Sequence, residues 1–137
     1  MKLLNGLELA YCTNVHRGNT WEETFHSLNR YVLKVRDKVS PEDRFAIGLR
    51  LGAHAASELS ARSEMLGFQK WLEAKNCYVF TINGFPYGNF HGQRVKENVY
   101  RPDWTTTERL EYTVLLFGIL AELLQTGEEG SVSTLPG

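Results

Sequence analysis

The chain has 137 residues, 42% of them hydrophobic and 23% charged, with a net charge of -1. That is one domain of ordinary globular composition, with enough apolar residues to bury a core. The charge balance gives no reason to expect a nucleic-acid partner, and no run approaches the roughly 18 apolar residues of a membrane span.

Residues 7–12 are apolar and partly alternating, which predicts a first strand. Asn5, Gly6 and Glu8 interrupt the apolar core that a secretory leader would need. A polar turn over 13–19 follows, and Thr20-Trp21-Glu22-Glu23 reads as a capping box. Phe25, Leu28, Val32 and Val35 recur at helical spacing, which predicts an amphipathic helix to about Lys38. The pattern then repeats. Residues 45–51 read as a second strand, 55–59 as a short helical turn, and 63–74 as a second helix. Residues 77–82 (Cys-Tyr-Val-Phe-Thr-Ile) are the most β-prone run in the chain. Thr105-Thr106-Thr107-Glu108 offers another capping box. It precedes a helix whose apolar face is expected to be Leu110, Val114, Phe117, Leu120, Ala121 and Leu124, with Gly127 as its stop. Residues 130–134 close the chain as a fourth strand. Cys12 and Cys77, each inside an apolar run, read as reduced, buried thiols, so a cytoplasmic location is expected.

Between the third strand and the last helix lies the stretch that fits no period, residues 83–104. It mixes Phe85, Tyr87, Phe90, Tyr100 and Trp104 with glycines, prolines, His91, Arg94 and Lys96. A loop that long is functional or disordered, and its aromatic content argues for function.

Three strand–helix units and a fourth strand predict an α/β fold with a parallel sheet and right-handed crossovers. The pattern does not give the strand order, so an open doubly wound sheet and part of a (β/α)₈ barrel both fit. The glycine-rich phosphate fingerprint is missing after the first strand, where Asn14-Val15-His16-Arg17-Gly18 stands instead. In either architecture the functional loops leave the carboxyl ends of the strands.

His91, in the long loop, is the leading candidate for a general base, metal ligand or hydroxyl donor, against the alternative of a histidine that fixes the loop. His16, on the first strand's exit near Asn14, is its natural partner. His54 is a weaker candidate, and His26 belongs to a solvated helical face. Lys96, with Arg94 and Arg101, suits an anionic substrate or a solvated loop with local ion pairs. Arg50 lies inside an apolar strand, so it is expected to pair with an acid or to belong to the site. The loop aromatics either wall a sugar-type pocket or fill space beneath the loop. No carboxylate stands beside the histidines, so a metal held by this chain alone is not expected.

Tyr11-Cys12-Thr13-Asn14-Val15-His16, the Thr20-Trp21-Glu22-Glu23 box, Gly48-Leu49-Arg50-Leu51 and Thr81-Ile82-Asn83-Gly84-Phe85-Pro86-Tyr87-Gly88 together resemble one family. Phe90-His91-Gly92, Val95-Lys96, Val99-Tyr100, Pro102-Asp103-Trp104, and Ser131 with Ser133-Thr134-Leu135-Pro136 extend the likeness in collinear order. The chain is similar to the amino-terminal part of the EboE family of metabolite traffic proteins, within the xylose isomerase-like TIM barrels. The resemblance implies a (βα)₃β unit, the first half of such a barrel, because a whole one typically needs about 250 residues. It implies a small sugar-like or secondary-metabolite precursor as partner, which the protein binds or transforms. The catalytic residues would be His91 and His16. Asn14, Arg50, Asn83, Tyr87 and Lys96 would hold substrate, and His91 would be the best candidate for a metal ligand. A divalent metal belongs to the full-length relatives. A non-catalytic carrier or an inactive truncated fragment is the alternative. An apurinic-site endonuclease-like hydrolase is less favoured. A half-barrel has two open sheet edges, which invite self-association.

Overall fold

In the computed structural model, which describes residues 1–3, 6–88 and 99–135, the apolar runs form four parallel strands. They are β1 (Tyr11–Cys12), β2 (Phe45–Arg50), β3 (Cys77–Asn83) and β4 (Ser131–Ser133). Their spatial order is that of the chain, β1-β2-β3-β4, with every neighbouring pair parallel. The α/β class and the parallel sheet are as the sequence predicts.

The helices between the strands are α1 (Trp21–Ser27) and α2 (Leu33–Val39), then α3 (Ala53–Leu59) and α4 (Arg62–Ala74), then α5 (Thr107–Leu123). They bury their apolar side chains against one face of the sheet. Phe45, Ile47, Leu49 and Leu51 share a fully buried core with Val79 and Ile82 from β3 and with Leu28, Phe68, Leu116 and Ile119 from the helices. Residues that alternate with these point the other way. A register shift between Ala46 and Gly48 puts an extra residue into β3, a bulge that returns Thr81 and Asn83 to the helix-free side.

The Thr20 capping box forms as expected. Thr20 Oγ1 accepts the Glu23 N–H at 3.1 Å, and the Glu23 carboxylate accepts the Asn19 and Thr20 N–H groups at 2.8 and 3.4 Å. Those backbone donors lower the Glu23 pKa. Glu58 of α3 adds a second cap by accepting the Trp21 N–H at 2.6 Å. The predicted single helix is regular only at its ends. A π-helical turn (Leu28–Val32) joins α1 to α2 and turns Tyr31 onto His16.

Several expectations are corrected. The first strand is two residues long rather than six. Leu7 and Leu9 are exposed, and residues 1–3 and 6–9 instead belong to an arm pinned by the amino terminus. That ammonium donates to Leu9 O and to the Tyr78 hydroxyl, both at 2.7 Å. Cys12 is exposed, not buried, because β1 is an edge strand. The last helix begins from Thr106, whose hydroxyl accepts the Arg109 N–H, so the predicted box at Thr105 and Glu108 does not form. Of its predicted apolar face Leu120 is buried, but the rest of the inward face is different. Arg109, Tyr112, Leu116, Ile119 and Leu123 face inward, while Leu110, Val114 and Phe117 are 56%, 60% and 53% exposed. A helix that is apolar nearly all round gives no pattern from which to choose a face.

Candidate functional site at the carboxyl end of the sheet

The strands all run the same way, so their exits gather at one end. Two register rows whose side chains face the helix-free side cross the sheet near it. Cys12 pairs with Gly48, Gly48 with Thr81, and Thr81 with Ser131; above them Arg50 pairs with Asn83, and Asn83 with Ser133. On the helix-free face two of these pairs are joined by side chains. Thr81 Oγ1 and Ser131 Oγ lie 2.9 Å apart, and Ser133 Oγ donates to Asn83 Oδ1 at 3.1 Å. Ser131 and Ser133 are exposed, and Thr81 and Asn83 are half-buried. Beside these two polar rungs the face is shallow. A Cβ on Gly48 would meet Ala10 Cβ and Thr81 Cγ2 at 3.5 Å each. Asn83 Oδ1 also accepts the Phe85 N–H at 3.1 Å, which turns the chain sharply out of β3.

Two buried guanidiniums hold the loops above this face. Arg50 is only 6% exposed. It donates to Gly18 O of the β1 exit at 2.8 Å and to Gly88 O of the β3 exit at 2.9 Å, while its own N–H reaches Thr13 Oγ1 at 2.8 Å. The acid partner expected for it is replaced by main-chain carbonyls, and burial lowers its pKa. Arg109 is fully buried. It donates through Nε to Pro102 O at 2.8 Å and through Nη1 to Gly84 O at 3.2 Å, and it lies 5.7 and 5.5 Å from the ring centres of Tyr87 and Tyr112. Among the described residues its Nη2 has no hydrogen-bond partner. The two tyrosine rings meet edge to face at 5.0 Å, and the Tyr112 hydroxyl donates to Leu51 O. Burial raises the Tyr112 pKa well above the usual phenol range. Gly84 is required where it stands, since a Cβ there would lie 2.5 Å from Leu116 Cδ1 and 3.1 Å from Ser133 O.

The sequence-predicted residues divide between this region and others. Asn83, Arg50 and Tyr87 are at the carboxyl end, with Tyr87 lining an open hollow of about 560 Å³ together with Arg101, Pro102, Asp103 and Thr106. Asn14 is exposed on the 3₁₀ turn after β1. His16 folds back along the β1 edge. Its Nε2 lies 3.0 Å from the Tyr11 hydroxyl, and its ring stacks on Tyr31 at 4.9 Å and 8° and on Tyr11 at 5.8 Å. Burial lowers its pKa. His54 points outward on α3, 3.4 Å from Glu58. His91 and Lys96 lie outside the described residues, so the proposed pairing of His91 with His16 does too.

Among the described residues no three His, Cys, Asp or Glu side chains gather as a metal site would need. His16 and His54 are each engaged on a different surface, so the described residues do not fit the donor set of a divalent metal. Comparisons with models of known protein families, with curated proteins and with solved structures found no match. Thr81, Ser131, Ser133 and Arg109 are the site residues that the sequence reading missed. The signal for three of them was present: Thr-Ile-Asn at 81–83 and Ser-Val-Ser at 131–133 are the same polar–apolar–polar alternation at the ends of two strands.

Proposed function

We propose that this chain is a xylose isomerase-like barrel protein of the metabolite-traffic type, holding a small sugar-like or secondary-metabolite precursor at the carboxyl end of its sheet. The observation that carries this reading is the pair of hydroxyl and amide rungs, Thr81–Ser131 and Asn83–Ser133, open on the helix-free face beneath loops that Arg50 ties together. Such groups can both donate and accept, which is what a polyhydroxylated ligand requires. The consecutive order of four parallel strands with helices on one face also supports the barrel reading. Transformation of the ligand would draw on His91, with Asn83, Arg50 and Tyr87 shaping the pocket. Binding without transformation is the carrier form of the same proposal.

The test is a titration of isotope-labelled protein with xylose and with inositol, followed by NMR. The expected result is saturable shifts centred on Thr81, Asn83, Ser131 and Ser133, with Asn83→Ala weakening binding at least about tenfold by removing hydrogen bonds. Absence of shifts at tens of millimolar would refute the assignment. Repeating the titration with magnesium or manganese separates the two forms, because conversion of the sugar marks an enzyme and unchanged sugar marks a carrier.

A further inference from the structure

An ion taken out of water needs an opposite charge nearby, so a buried cation without one says what its site is built to meet. The carboxyl end of this sheet holds two such cations, and among the described residues neither is paired with a carboxylate. Arg50 stands in register with Asn83 and Ser133. The upper row of the helix-free face therefore reads cation, amide, hydroxyl, at a strand spacing of about 4.8 Å. Arg109 reaches the end of the same row from α5. Its Nη1 donates to Gly84 O, one residue past Asn83, and the Gly84 N–H donates to Ser133 O at 2.8 Å. Of the N–H groups on each guanidinium, only two are bonded, all to main-chain carbonyls.

Carbonyl oxygens satisfy N–H groups but bring no net charge, so the two guanidiniums leave this end of the sheet positive. The titratable groups around them do not cancel it. Tyr112 lies beside both, and burial keeps its phenol protonated. Asp103 is the acid whose charge bears on Arg109, but its carboxylate accepts the N–H and hydroxyl of Thr105 instead. At the Tyr87 hollow, Arg101 and Glu108 offset one another.

We infer that the ligand of this face is a phosphate monoester of a polyol, its hydroxyls on the Thr81–Ser131 and Asn83–Ser133 rungs and its phosphate toward the Arg50 and Arg109 end. The inference deepens the metabolite reading above and rests on it. Two monovalent cations match the charge of about -1.5 to -2 that a phosphate monoester carries at neutral pH. A neutral sugar leaves both uncompensated, and a sugar acid leaves one. Arg50 meets the phosphate from the helix-free face. Arg109, fully buried against the Tyr87 ring, adds its charge through the low-dielectric interior.

The test is an NMR titration of the labelled full chain at neutral pH with inositol, inositol 1-phosphate and inorganic phosphate. Inositol 1-phosphate should bind at least about tenfold more tightly than inositol, the gain of charge-assisted over neutral hydrogen bonds. Its shifts should fall on Thr81, Asn83, Ser131, Ser133 and the Arg50 Nε–H. Arg109→Met should cut that preference at least about threefold, whereas Arg109→Lys, which keeps the charge and loses the fork, should retain it. Circular dichroism checks that each variant folds, and if neither does, the wild-type comparison decides alone. Equal affinity for inositol and its phosphate overturns the inference and leaves the sugar reading in place. Inorganic phosphate binding as tightly as the ester, with the rung resonances unmoved, sinks the sugar reading and leaves the charge match supported. Silence toward all three at tens of millimolar overturns both, and means that the two charges are met within the chain.

Discussion

The two faces of this sheet are made from the same strands, and they do opposite things. On one, Ile47, Leu49, Val79 and Ile82 are fully buried under helices. On the other, separated by a single residue in sequence, Gly48, Thr81 and Asn83 leave a shallow polar surface with hydroxyls still in reach of solvent. Alternation along a strand is enough to put stability on one face and recognition on the other. The division also sets which residues can change without cost to the fold.

That contrast is open to direct measurement. Leu49→Ala should cost about 3–4 kcal/mol in urea unfolding, as removal of a fully buried leucine side chain does. Thr81→Ala, on the neighbouring strand but on the open face, should stay within about 0.5 kcal/mol. Equal losses at the two positions would mean that the open face is packed in solution. Arg50→Met comes next. It strips the charged donor from the Gly18 and Gly88 carbonyls, and a loss of about 2–3 kcal/mol is expected. Hydrogen exchange should quicken at both loop exits together, because one side chain holds both.

The remaining effect is read in alkali, and it tests where the contrast ends. At the amino end of the sheet, neighbouring residues on opposite faces are both buried. Burial raises the Cys77 thiol to about 11 and, with Glu8 beside it, the Tyr78 phenol to about 12. An acid whose folded pKa is raised stays protonated while the unfolded chain has already lost its proton. Its stabilising effect is therefore whole below the ordinary pKa and disappears as pH climbs to the folded one. Stability should begin to fall near pH 9, the ordinary thiol value, and continue falling through about pH 12. Cys77→Ala should delay the onset to about pH 10, where Tyr78 and Tyr112 take over. An unchanged onset in that variant would show that the thiol is not sealed from water.

What was legible in the sequence follows the strength of its periodic signals. Strands β2 and β3 are runs of β-prone residues whose neighbours on both sides bury them, and their predicted limits hold to within a residue or so. The Thr20 box is local chemistry and needs no tertiary context. Long-range facts were not legible. Leu7 and Leu9 carry a strand's alternation, but the arm they sit in has Met1 and Tyr78 for partners rather than a second strand. The inward face of α5 is chosen by Tyr112 and Arg109 finding carbonyls at the ends of other strands, which no helical wheel records. Arg50 was singled out rightly as an unusual residue, and its partners were unforeseeable because main-chain oxygens carry no sequence label. The candidate site was legible where its residues are unusual for their setting and silent where they are plain serines and threonines.

The long loop is held at Gly84 and Pro102 by one guanidinium and at Gly88 by another. Its roots are thus fixed by side chains that belong to β2 and α5, not by its own sequence. Loss of either arginine would therefore release one root of the loop while leaving the pairing of the strands below it intact.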